Sequence, residues 1–272
     1  MSDKTPYNPE AFWFSKLNDY RTCPKLYEAK HIHGIVPEEK GLDSEFGSAL
    51  HYGIAECLSG RDGVEGFQMY WSTVDKRLRK FKFGPDALEK MGPIFIERFA
   101  RLHAKHFKPF RIEERIYTKF DQHLVEGTPD FLGEYKGVPS IVDFKTSSAK
   151  YAKEKIECEE QLSAYGEMSA RELGYTPEQR VYVVFVKDFN DPSIQILKSE
   201  LTYVVRSSTL ENMKATIEEI KARKQYPMNT LSCVRGSIVC PNFANCWRSN
   251  EQSVLDPNST NSLRTGAKRR AG

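Results

Sequence analysis

Hydrophobic residues recur at four-residue spacing between positions 44 and 58, where Phe46, Leu50, Ile54 and Leu58 would lie on one face of a helix. Apolar positions three or four residues apart are typical of an amphipathic helix. A longer helical stretch ends at Gly174, a residue type that is common just after the last turn of a helix. The helices predicted from these patterns are 44–58, 67–81, 87–107, about 153–173 and 208–224.

Shorter apolar runs that are rich in β-branched and aromatic residues predict strands. The clearest is QRVYVVFVK at 179–187, and a Tyr-Lys-Gly turn joins two of the earlier runs. The predicted strands are 109–120, 125–135, 138–146, 179–187 and 194–205. Because the central elements follow the order helix, three strands, helix, strand, we expect an α/β fold with a mixed sheet flanked by helices, and a helical N-terminal region.

The composition is that of an ordinary globular protein, with 39% hydrophobic and 28% charged residues among 272. The sequence contains no apolar run long enough for a transmembrane helix and no secretory-signal pattern, so we expect a cytoplasmic, reducing compartment. Residues 249–272 have few apolar side chains and many Ser, Asn and basic residues, which predicts a flexible basic tail. We expect 1–248 to form one domain, with a helical insertion at about 60–108.

Two charged residues interrupt the predicted strand 138–146. Asp143 and Lys145 are two positions apart and therefore share one face of the strand, while Phe144 faces the other side. For such a pair alone, an ion pair on an edge strand is the simpler interpretation. Asp130, however, follows a Gly-Thr-Pro turn on the neighbouring hairpin arm, and two adjacent carboxylates repel each other unless a cation neutralises them. The pattern favours a site for Mg²⁺ or Mn²⁺, in which the lysine would hold a metal-bound water or deprotonate it as a general base.

These residues also resemble a known motif. Pro129-Asp130, twelve further residues, and then Asp143-x-Lys145 are similar to the PD-(D/E)XK nuclease signature. FGSALH (46–51), QLSAY (161–165) and YRTCPKLYEAKHIHG (20–34) resemble motifs of the RecB-like branch of that superfamily. The resemblance extends from about residue 12 to residue 248. It implies a restriction-endonuclease-like core with elements in the order αβββαβ, and a single RecB-like nuclease domain.

The resemblance implies a role for several residues. His51 would bind metal with Asp130 and Asp143, although a histidine on an apolar-striped helix can equally be a core residue. A functional carboxylate is expected before the strand that leads into the site, and we favour Glu114 there while Glu113 stays open. The resemblance assigns catalytic functions to Asp130, Asp143, Lys145, Gln161, Tyr165 and Glu114.

Gln161 and Tyr165 share one helix face, because they are four residues apart. Their spacing alone is also compatible with a polar seam on an ordinary amphipathic helix. The resemblance implies that Gln161 positions the active site or the scissile strand and that Tyr165 supports DNA contact.

The six cysteines fall into two groups. Cys57 and Cys158 lie within predicted helices and are expected to be small buried hydrophobic residues. The others consist of one early and three late cysteines, a set that favours metal binding over disulfides in a reducing compartment. Zinc and an iron–sulfur cluster both suit four thiolates. The resemblance extends to the branch's iron–sulfur subset and implies a 4Fe-4S cluster in a cysteine-rich closure at 233–246, held by Cys23, Cys233, Cys240 and Cys246.

Two stretches alternate basic and aromatic residues, namely KRLRKFKF (76–83) and RFARLHAKHFKPFR (98–111). Cations for phosphates and rings for unstacked bases are what a single-strand channel needs, although a solvated helix face with aromatic core residues gives the same pattern. The net charge is only +3, so a nucleic-acid surface has to be local. The candidate DNA contacts are Arg77, Arg79, Lys80 and Lys82.

Together these features predict a divalent-metal-dependent DNA nuclease. We expect an exonuclease that acts on DNA ends or single strands in recombination, repair or phage DNA processing, with DNA as its partner and no membrane association. Recombination or replication proteins are further candidate partners. A non-catalytic DNA-binding accessory subunit and a structure-specific endonuclease are the alternatives.

Overall fold

The structure, a computed structural model, describes residues 10–35, 41–78, 82–235 and 238–247. The chain divides into two units, of which the first consists of Met1–Phe14 with Glu39–Ile217 and the second of Ser15–Glu38 with Glu218–Gly272. The predicted tail, the interval 249–272, lies outside the described residues. Within the described part of the chain, no helix combines the length and the apolar character that crossing a membrane requires.

The described residues alternate between helices and short strands. The helices are α1 (Phe14–Thr22), α2 (Pro24–Tyr27), α3 (Leu42–Leu58), α4 (Gly63–Ser72), α5 (Pro85–Leu102), α6 (Glu160–Glu172), α7 (Tyr203–Ala222) and α8 (Phe243–Trp247). The strands are β1 (Phe107–Ile112), β2 (Ile116–Phe120), β3 (His123–Gly127), β4 (Phe131–Tyr135), β5 (Val138–Ser147), β6 (Gln179–Val186), β7 (Ser193–Glu200), β8 (Val234–Arg235) and β9 (Ile238–Val239).

A five-stranded sheet forms the centre of the first unit, with strands in the order β1-β4-β5-β6-β7. β4 is antiparallel to both β1 and β5, β6 runs parallel to β5, and β7 is antiparallel to β6. A parallel neighbour requires a crossover connection, and α6 lies in the crossover between β5 and β6. The predicted α/β class, the mixed sheet flanked by helices and the αβββαβ order are therefore confirmed.

The helices α3, α4 and α5 share an aromatic-rich core with the sheet. Phe144 of β5 is 2% exposed and belongs to this core, as its predicted parity requires. Burying one such ring contributes about 1.5–3 kcal/mol relative to leaving it in water. The aromatic members of this core are Phe46, Phe67, Trp71, Phe83, Phe95, Phe99, Phe107, Phe131, Tyr135, Phe144 and Phe185.

The turn between β4 and β5 fixes the register of the two strands. Lys136 and Gly137 have φ angles of 53° and 79°, so both occupy the left-handed region that a tight two-residue hairpin turn requires. This is the predicted Tyr-Lys-Gly turn, and it places Phe131 opposite Val142.

Three predicted strands are longer than the strands of the structure. The stretch 109–120 divides after Ile112, because Glu113 has a φ of 48° that strand geometry does not allow. The stretch 125–135 likewise divides into the end of β3 and β4, and β2 pairs with β3 in a separate two-stranded sheet. The stretch 194–205 ends as a strand at Glu200, and α7 begins at Tyr203.

All five predicted helices are found, although not every end is correct, and the described residues also contain α1, α2 and α8, for which no helix was predicted. The helix predicted to reach residue 81 ends at Ser72, and the helix predicted to reach 107 ends at Leu102. The stretch predicted as one helix from 153 begins with a short 3₁₀ helix, Lys153–Ile156, before α6 starts at Glu160. At its other end, Gly174 has the left-handed conformation (φ 64°) expected after a last helical turn.

The second unit is built from short elements held together by aromatic and polar contacts. Tyr27 packs edge-on against Tyr20 and stacks on Tyr226, with ring centroids 5.5 and 6.0 Å apart. The hydroxyl of Tyr20 donates to Glu219 at 2.8 Å. β8 and β9, each two residues long, pair in antiparallel orientation and precede α8.

Candidate active site

The start of β4 and the middle of β5 bring Asp130 and Asp143 together. Asp130 directly precedes β4, whose first residue, Phe131, pairs with Val142 of β5. Oδ2 of Asp130 accepts a hydrogen bond from the backbone N–H of Phe144 at 2.7 Å. The predicted hairpin therefore holds the carboxylate of Asp130 next to that of Asp143.

Asp143 and Lys145 form an ion pair on one face of β5. Nζ of Lys145 lies 2.8 Å from Oδ1 and 2.7 Å from Oδ2 of Asp143. Asp143 is buried, whereas the side chain of Lys145 is 33% exposed, so the pair has one accessible end. Burial and the charge of Asp130 raise the pKa of Asp143 to about 7, although Lys145 opposes the shift. Without a bound metal ion, the carboxylates of Asp130 and Asp143 are therefore stabilised by binding either a proton or a further cation.

The amine of Lys145 is stabilised in its charged form. Burial alone would lower its pKa, but the carboxylates of Asp143 and Asp130 more than offset burial, and the net pKa is raised. An ammonium group donates hydrogen bonds to water or to phosphate oxygens but cannot accept a proton. Lys145 in this state can therefore orient a nucleophile or a phosphate group.

His51 of α3 faces the same cluster. Its Nε2 donates a hydrogen bond to the backbone carbonyl of Phe144, and its Nδ1 lies 3.6 Å from Oδ1 of Asp130. In the neutral imidazole Nδ1 then carries a lone pair, so nitrogen and carboxylate oxygen both present acceptors on the same side. The structure brings His51 to the acidic cluster and not into the apolar core.

The two candidate glutamates after β1 lie in different surroundings. The side chain of Glu114 is 45% exposed and forms an ion pair with Arg111 at 2.8 Å. Glu113 is half-buried, and its backbone N–H donates to the carbonyl of Asp130 at 3.1 Å. The left-handed backbone at Glu113 breaks the strand alternation on which the choice of Glu114 depends. Because of this backbone contact with Asp130, we expect Glu113 and not Glu114 to be the functional carboxylate.

Gln161 and Tyr165 occupy one face of α6, as predicted. Nε2 of Gln161 donates to the hydroxyl of Tyr165 at 3.2 Å. The ring of Tyr165 is buried against Gly127, where a Cβ atom would lie 2.2 Å from Cε1 of the tyrosine. The turn that presents Asp130 thus contacts Tyr165 directly, and only a glycine at position 127 allows this approach.

Glu159 is a site-associated residue that the sequence reasoning missed. Its carboxylate accepts the backbone N–H of Gln161 at 2.9 Å as the N-cap of α6, and it also accepts the hydroxyl of Tyr182. The negative charge of Glu159 helps to raise the pKa of Lys145. The sequence carries no signal for this position, because Glu159 lies inside the helix predicted from about residue 153 and becomes a capping residue only where α6 starts at Glu160.

The donor groups of the acidic cluster suit a hard divalent cation. Among the residues that the structure describes, no group of three or more His, Cys, Asp and Glu side chains is already arranged around a common metal position. The side chains instead bind protein partners, namely the Phe144 backbone and Lys145. Oδ2 of Asp143 is buried and makes no hydrogen bond, although Lys145 is close to it. Two carboxylates and one imidazole with acceptors on one side fit a cation such as Mg²⁺ or Mn²⁺.

The four candidate cluster cysteines all belong to the second unit. Cys233 and Cys240 flank the β8–β9 hairpin, and the N–H of Cys240 donates to the carbonyl of Cys233 at 2.8 Å. Burial, followed by the nearby thiols of Cys23 and Cys233, raises the pKa of Cys240. Cys246 is affected in the same way, first by burial and then by the other three thiols. The structure thus brings the four sulfur atoms within electrostatic range of one another.

Asparagine groups hold three of these thiols. Sγ of Cys23 accepts the backbone N–H of Asn229 at 3.3 Å, and the thiol of Cys233 lies 3.7 Å from the carbonyl oxygen of the same residue. The side-chain amide of Asn242 donates to Sγ of Cys246 at 3.3 Å. The two hydrogen bonds that asparagine N–H groups donate to sulfur, at Cys23 and at Cys246, orient these sulfur atoms within the second unit.

The other two cysteines differ from these four and from each other. Cys57 is partly buried in α3, and burial raises its pKa. Cys158 is exposed in the turn before α6, so the prediction that it is a buried helix residue is wrong. The reason is that the predicted helix is interrupted between the 3₁₀ helix and α6.

The basic stretch 76–83 does not form an aromatic-lined channel in its described part. Arg77 pairs with Asp75 at 2.8 Å, and Phe83 is fully buried in the core. Lys82 is exposed, with its Nζ 5.1 Å from the Phe83 ring centroid. Arg79 and Lys80 lie outside the described residues. In the second stretch Phe99 and Phe107 are likewise core residues, so these rings stabilise the fold and are not available for bases.

The comparisons with known proteins agree with this geometry. The model of the PD-(D/E)XK nuclease superfamily matches residues 12–243. A crystal structure named "Putative exonuclease", from Eubacterium rectale, has 14% sequence identity, a TM-score of 0.57 and coverage of 98% of both chains, which supports the fold. A structure named SSO0001 has 12% identity, covers 79% of this chain and 78% of its own, and has a TM-score of 0.38, which is too low to support an argument. No curated protein matches the sequence. Because the family match covers most of the chain and includes every residue of the acidic cluster, the chain belongs to the PD-(D/E)XK nuclease superfamily.

Proposed function

We propose that this protein is a divalent-metal-dependent DNA nuclease that uses Mg²⁺ or Mn²⁺. The observation that carries the proposal is the cluster of Asp130, Asp143 and Lys145 on adjacent strands, with His51 on the facing helix. Burial and the charge of Asp130 raise the cost of ionising Asp143, and a bound cation offsets that cost. We further propose exonuclease action on DNA ends or single strands, in recombination, repair or phage DNA processing.

Each side chain has a distinct task in this proposal. Asp130, Asp143 and His51 would hold the metal, which when bound polarises the phosphate and lowers the pKa of a coordinated water. Lys145 would donate hydrogen bonds to the attacking water or to a phosphate oxygen from the accessible end of its ion pair. Glu159 and Asp143 keep its charge in place from two sides.

The remaining site residues would orient the side chains that bind the metal. Tyr165 supports the turn before Asp130 through its contact with Gly127, and Gln161 fixes the hydroxyl of that tyrosine. Glu113 is a further carboxylate at the Asp130 end of the site. These groups would keep the metal-binding side chains oriented before substrate arrives, which preorganised catalysis requires.

For the second unit we propose a 4Fe-4S cluster bound by Cys23, Cys233, Cys240 and Cys246, with zinc as the alternative. The mutual effect of the buried thiols on their pKa values supports a shared ligand, since thiolates that repel one another are stabilised by a bound cation. The role of the cluster would be structural, joining the early α2 region to the end of the chain.

A cleavage assay separates the candidate functions. End-labelled linear double-stranded DNA, closed circular DNA and single-stranded DNA are incubated with the protein and Mg²⁺ or Mn²⁺. An exonuclease degrades the linear and single-stranded substrates and leaves closed circles intact, whereas an endonuclease also opens the circles. DNA binding without cleavage in either metal would reject the nuclease proposal and favour an accessory DNA-binding role.

A further inference from the structure

The segment directly after the catalytic strand carries a set of exposed lysines. β5 ends at Ser147, two residues after Lys145, and the next residues, 148–155, form what we call the lysine segment. Lys150, Lys153 and Lys155 are all exposed within it, and Glu154 is its single acidic residue. In contrast to Arg77 and Lys108, whose charges are paired, no ion pair is found for these three lysines among the described residues.

This segment is anchored near the catalytic lysine. The backbone N–H of Tyr151 donates to Oε1 of Gln195 at 2.8 Å, and Nε2 of Gln195 donates to the carbonyl of Tyr151 at 3.0 Å. The ring of Tyr151 packs edge-on against Tyr182 with centroids 6.1 Å apart, and Nζ of Lys145 lies 6.0 Å from that same Tyr182 ring. One aromatic ring therefore contacts both the anchor of the segment and the catalytic lysine.

A second anchor fixes the other end. Ile156, the last residue of the 3₁₀ helix Lys153–Ile156, is fully buried. Backbone order is thus supplied by β7 and by the core, and a ligand has only to immobilise the lysine side chains. Preorganised groups lose less entropy on binding than a free loop does. Nζ of Lys155 also lies 5.1 Å from the Tyr151 ring centroid, which restrains one of the three cations near the anchor.

We propose that the lysine segment binds the sugar–phosphate backbone of the DNA strand that is cut at Lys145. The proposal rests on the proposed nuclease function and identifies a surface that differs from the basic stretch at 76–83. The segment presents three exposed cations, without an ion pair among the described residues, on an anchored backbone. Contacts of lysines with phosphates position a strand without reading its sequence. Gln195 is a positioning residue in this arrangement, because it acts through Tyr151.

The test measures DNA binding by the full chain at several salt concentrations, with a chelator present so that no cleavage occurs. The first variant replaces Lys150, Lys153 and Lys155 by alanine, the second replaces them by arginine, and the matched control replaces the exposed Lys90, Lys119 and Lys198 by alanine. Loss of three phosphate contacts makes the slope of log K against log salt shallower by about 2 to 3. We expect this change in the first variant, near-wild-type slopes in the arginine variant, and no change in the control.

A second measurement tests the anchor. Gln195→Ala keeps every charge but releases Tyr151, so we expect KM for DNA in Mg²⁺ to rise several-fold while kcat changes less. Equal effects on both parameters would show a general structural role and overturn the assignment of Gln195.

The outcomes separate this proposal from the nuclease proposal. Cleavage by wild-type protein together with an unchanged salt slope in the alanine variant overturns the lysine segment and leaves the nuclease intact. A shallower slope without any cleavage in Mg²⁺ or Mn²⁺ supports the segment and rejects the nuclease. Wild-type protein that binds no DNA at low salt overturns the lysine segment.

Discussion

The acidic cluster stands on two paired strands of a five-stranded sheet, whereas the cysteines of the second unit stand on or beside elements of two to nine residues. In the first region, backbone pairing and an aromatic core fix the side chains before any metal binds. In the second region, short elements are held by a few ring contacts and by hydrogen bonds to sulfur and to asparagine. Small structures of this kind generally need a metal or another cross-link.

The comparison teaches that the same proposed chemistry, side chains that would share a cation, can have opposite relations to folding. For the acidic cluster the fold positions the proposed ligands, and the metal would contribute to the reaction. For the cysteines, a bound metal would itself stabilise the folded arrangement of the surrounding elements. The two regions should therefore respond differently when ligands or metals are removed.

The largest effect is expected on cleavage when the acidic cluster is altered. Lys145→Ala and Asp143→Ala should each lower the cleavage rate by about 10²–10⁴-fold, because each removes a group that acts at the reacting phosphate. The change in thermal stability should be small, since burial and repulsion already disfavour the charge of Asp143. Lys119→Ala, at an exposed position on β2, is the control. Cleavage at the wild-type rate by either cluster variant would reject its catalytic assignment.

The cysteine region should show the reverse behaviour, with a large effect on stability. Protein purified without oxygen should be brown with broad visible absorption, and Cys23→Ser should lose the colour, the iron and a large part of the unfolding free energy. Cross-linking two segments that lie more than 200 residues apart contributes on the order of 4–5 kcal/mol by loop entropy.

The control for this experiment is the exposed Cys158, whose replacement by serine should keep both colour and stability, as should Cys57→Ser. Iron content, absorbance and thermal unfolding are the measurements. Colourless protein with about one zinc per chain would replace iron by zinc in the same role. Metal-free protein of unchanged stability would remove the contrast between the two regions.

A third effect separates metal binding from a purely structural histidine. His51→Ala should weaken metal-supported cleavage by about 10–100-fold, the range typical of changes in a metal's ligand environment. The loss should be partly recovered at high Mn²⁺, since weakened binding can be overcome by concentration. A metal titration identical to that of the wild type would show that His51 serves only through its hydrogen bond to the Phe144 carbonyl.

The pH dependence of metal binding gives a smaller, graded effect. The pKa of Asp143 in the metal-free protein is raised to about 7, so binding of Mg²⁺ below that pH must displace a proton. Affinity should rise by roughly tenfold per pH unit below about 7 and level off above it. Calorimetric titration across this range measures it, and an affinity that does not vary between pH 5 and 7 would contradict the shift.

The raised pKa of Asp143 also determines the direction in which stability changes with pH. Between about pH 4, the ordinary range of an unfolded aspartate, and about pH 7, the folded protein binds a proton at Asp143 that the unfolded chain has released. The contribution of this group is therefore complete at low pH and is lost as pH rises through that window. Asp143→Ala should remove this component of the pH dependence.

Much of the sheet and its cluster could be predicted because local rules determine them. Alternation on β5 placed Asp143 and Lys145 on one face and Phe144 in the core, and the Tyr-Lys-Gly turn fixed the neighbouring strand. The burial of the aromatic rings in the two basic stretches was harder to predict. An aromatic residue in a helix pattern has the same spacing whether its ring stacks on a base or packs in the core. Phe83 and Phe99 proved to be core residues, since tertiary packing and not spacing decides burial.

Contacts between elements distant in sequence were also beyond prediction. Gln195 and Tyr151 are 44 residues apart and meet only because β7 lies at the edge of the sheet. Glu159 and Tyr182 likewise meet across the α6 crossover. In each case a polar residue has many candidate partners in the sequence, and the sheet order selects one of them.

The smallest effect on cleavage is expected for two adjacent glutamates, Glu113 and Glu114. Comparing them tests how far the fixed backbone of the first region extends. Glu113 has a left-handed backbone and donates its N–H to the carbonyl of Asp130, whereas Glu114 lies at the surface with Arg111. Since its backbone contacts Asp130, we expect the carboxylate of Glu113 to face the cluster, so Glu113→Gln, which removes that charge and keeps the backbone bond, should lower cleavage by about tenfold, within the range for groups that orient metal ligands. Glu114→Gln should change cleavage by no more than about twofold, because a surface ion pair contributes about 0–1 kcal/mol.

Both substitutions replace a glutamate by a glutamine and differ only in position. The ratio of the two cleavage rates therefore reports the effect of position at a constant change in charge. Measuring both at saturating Mn²⁺ removes any contribution from weakened metal binding and leaves the orientation of Asp130 as the variable. A larger loss for Glu114→Gln would mean that the chain after β1 turns the other way when DNA binds. It would also mean that the backbone at this end of the acidic cluster is not fixed in advance, unlike the paired strands that hold Asp143 and Lys145.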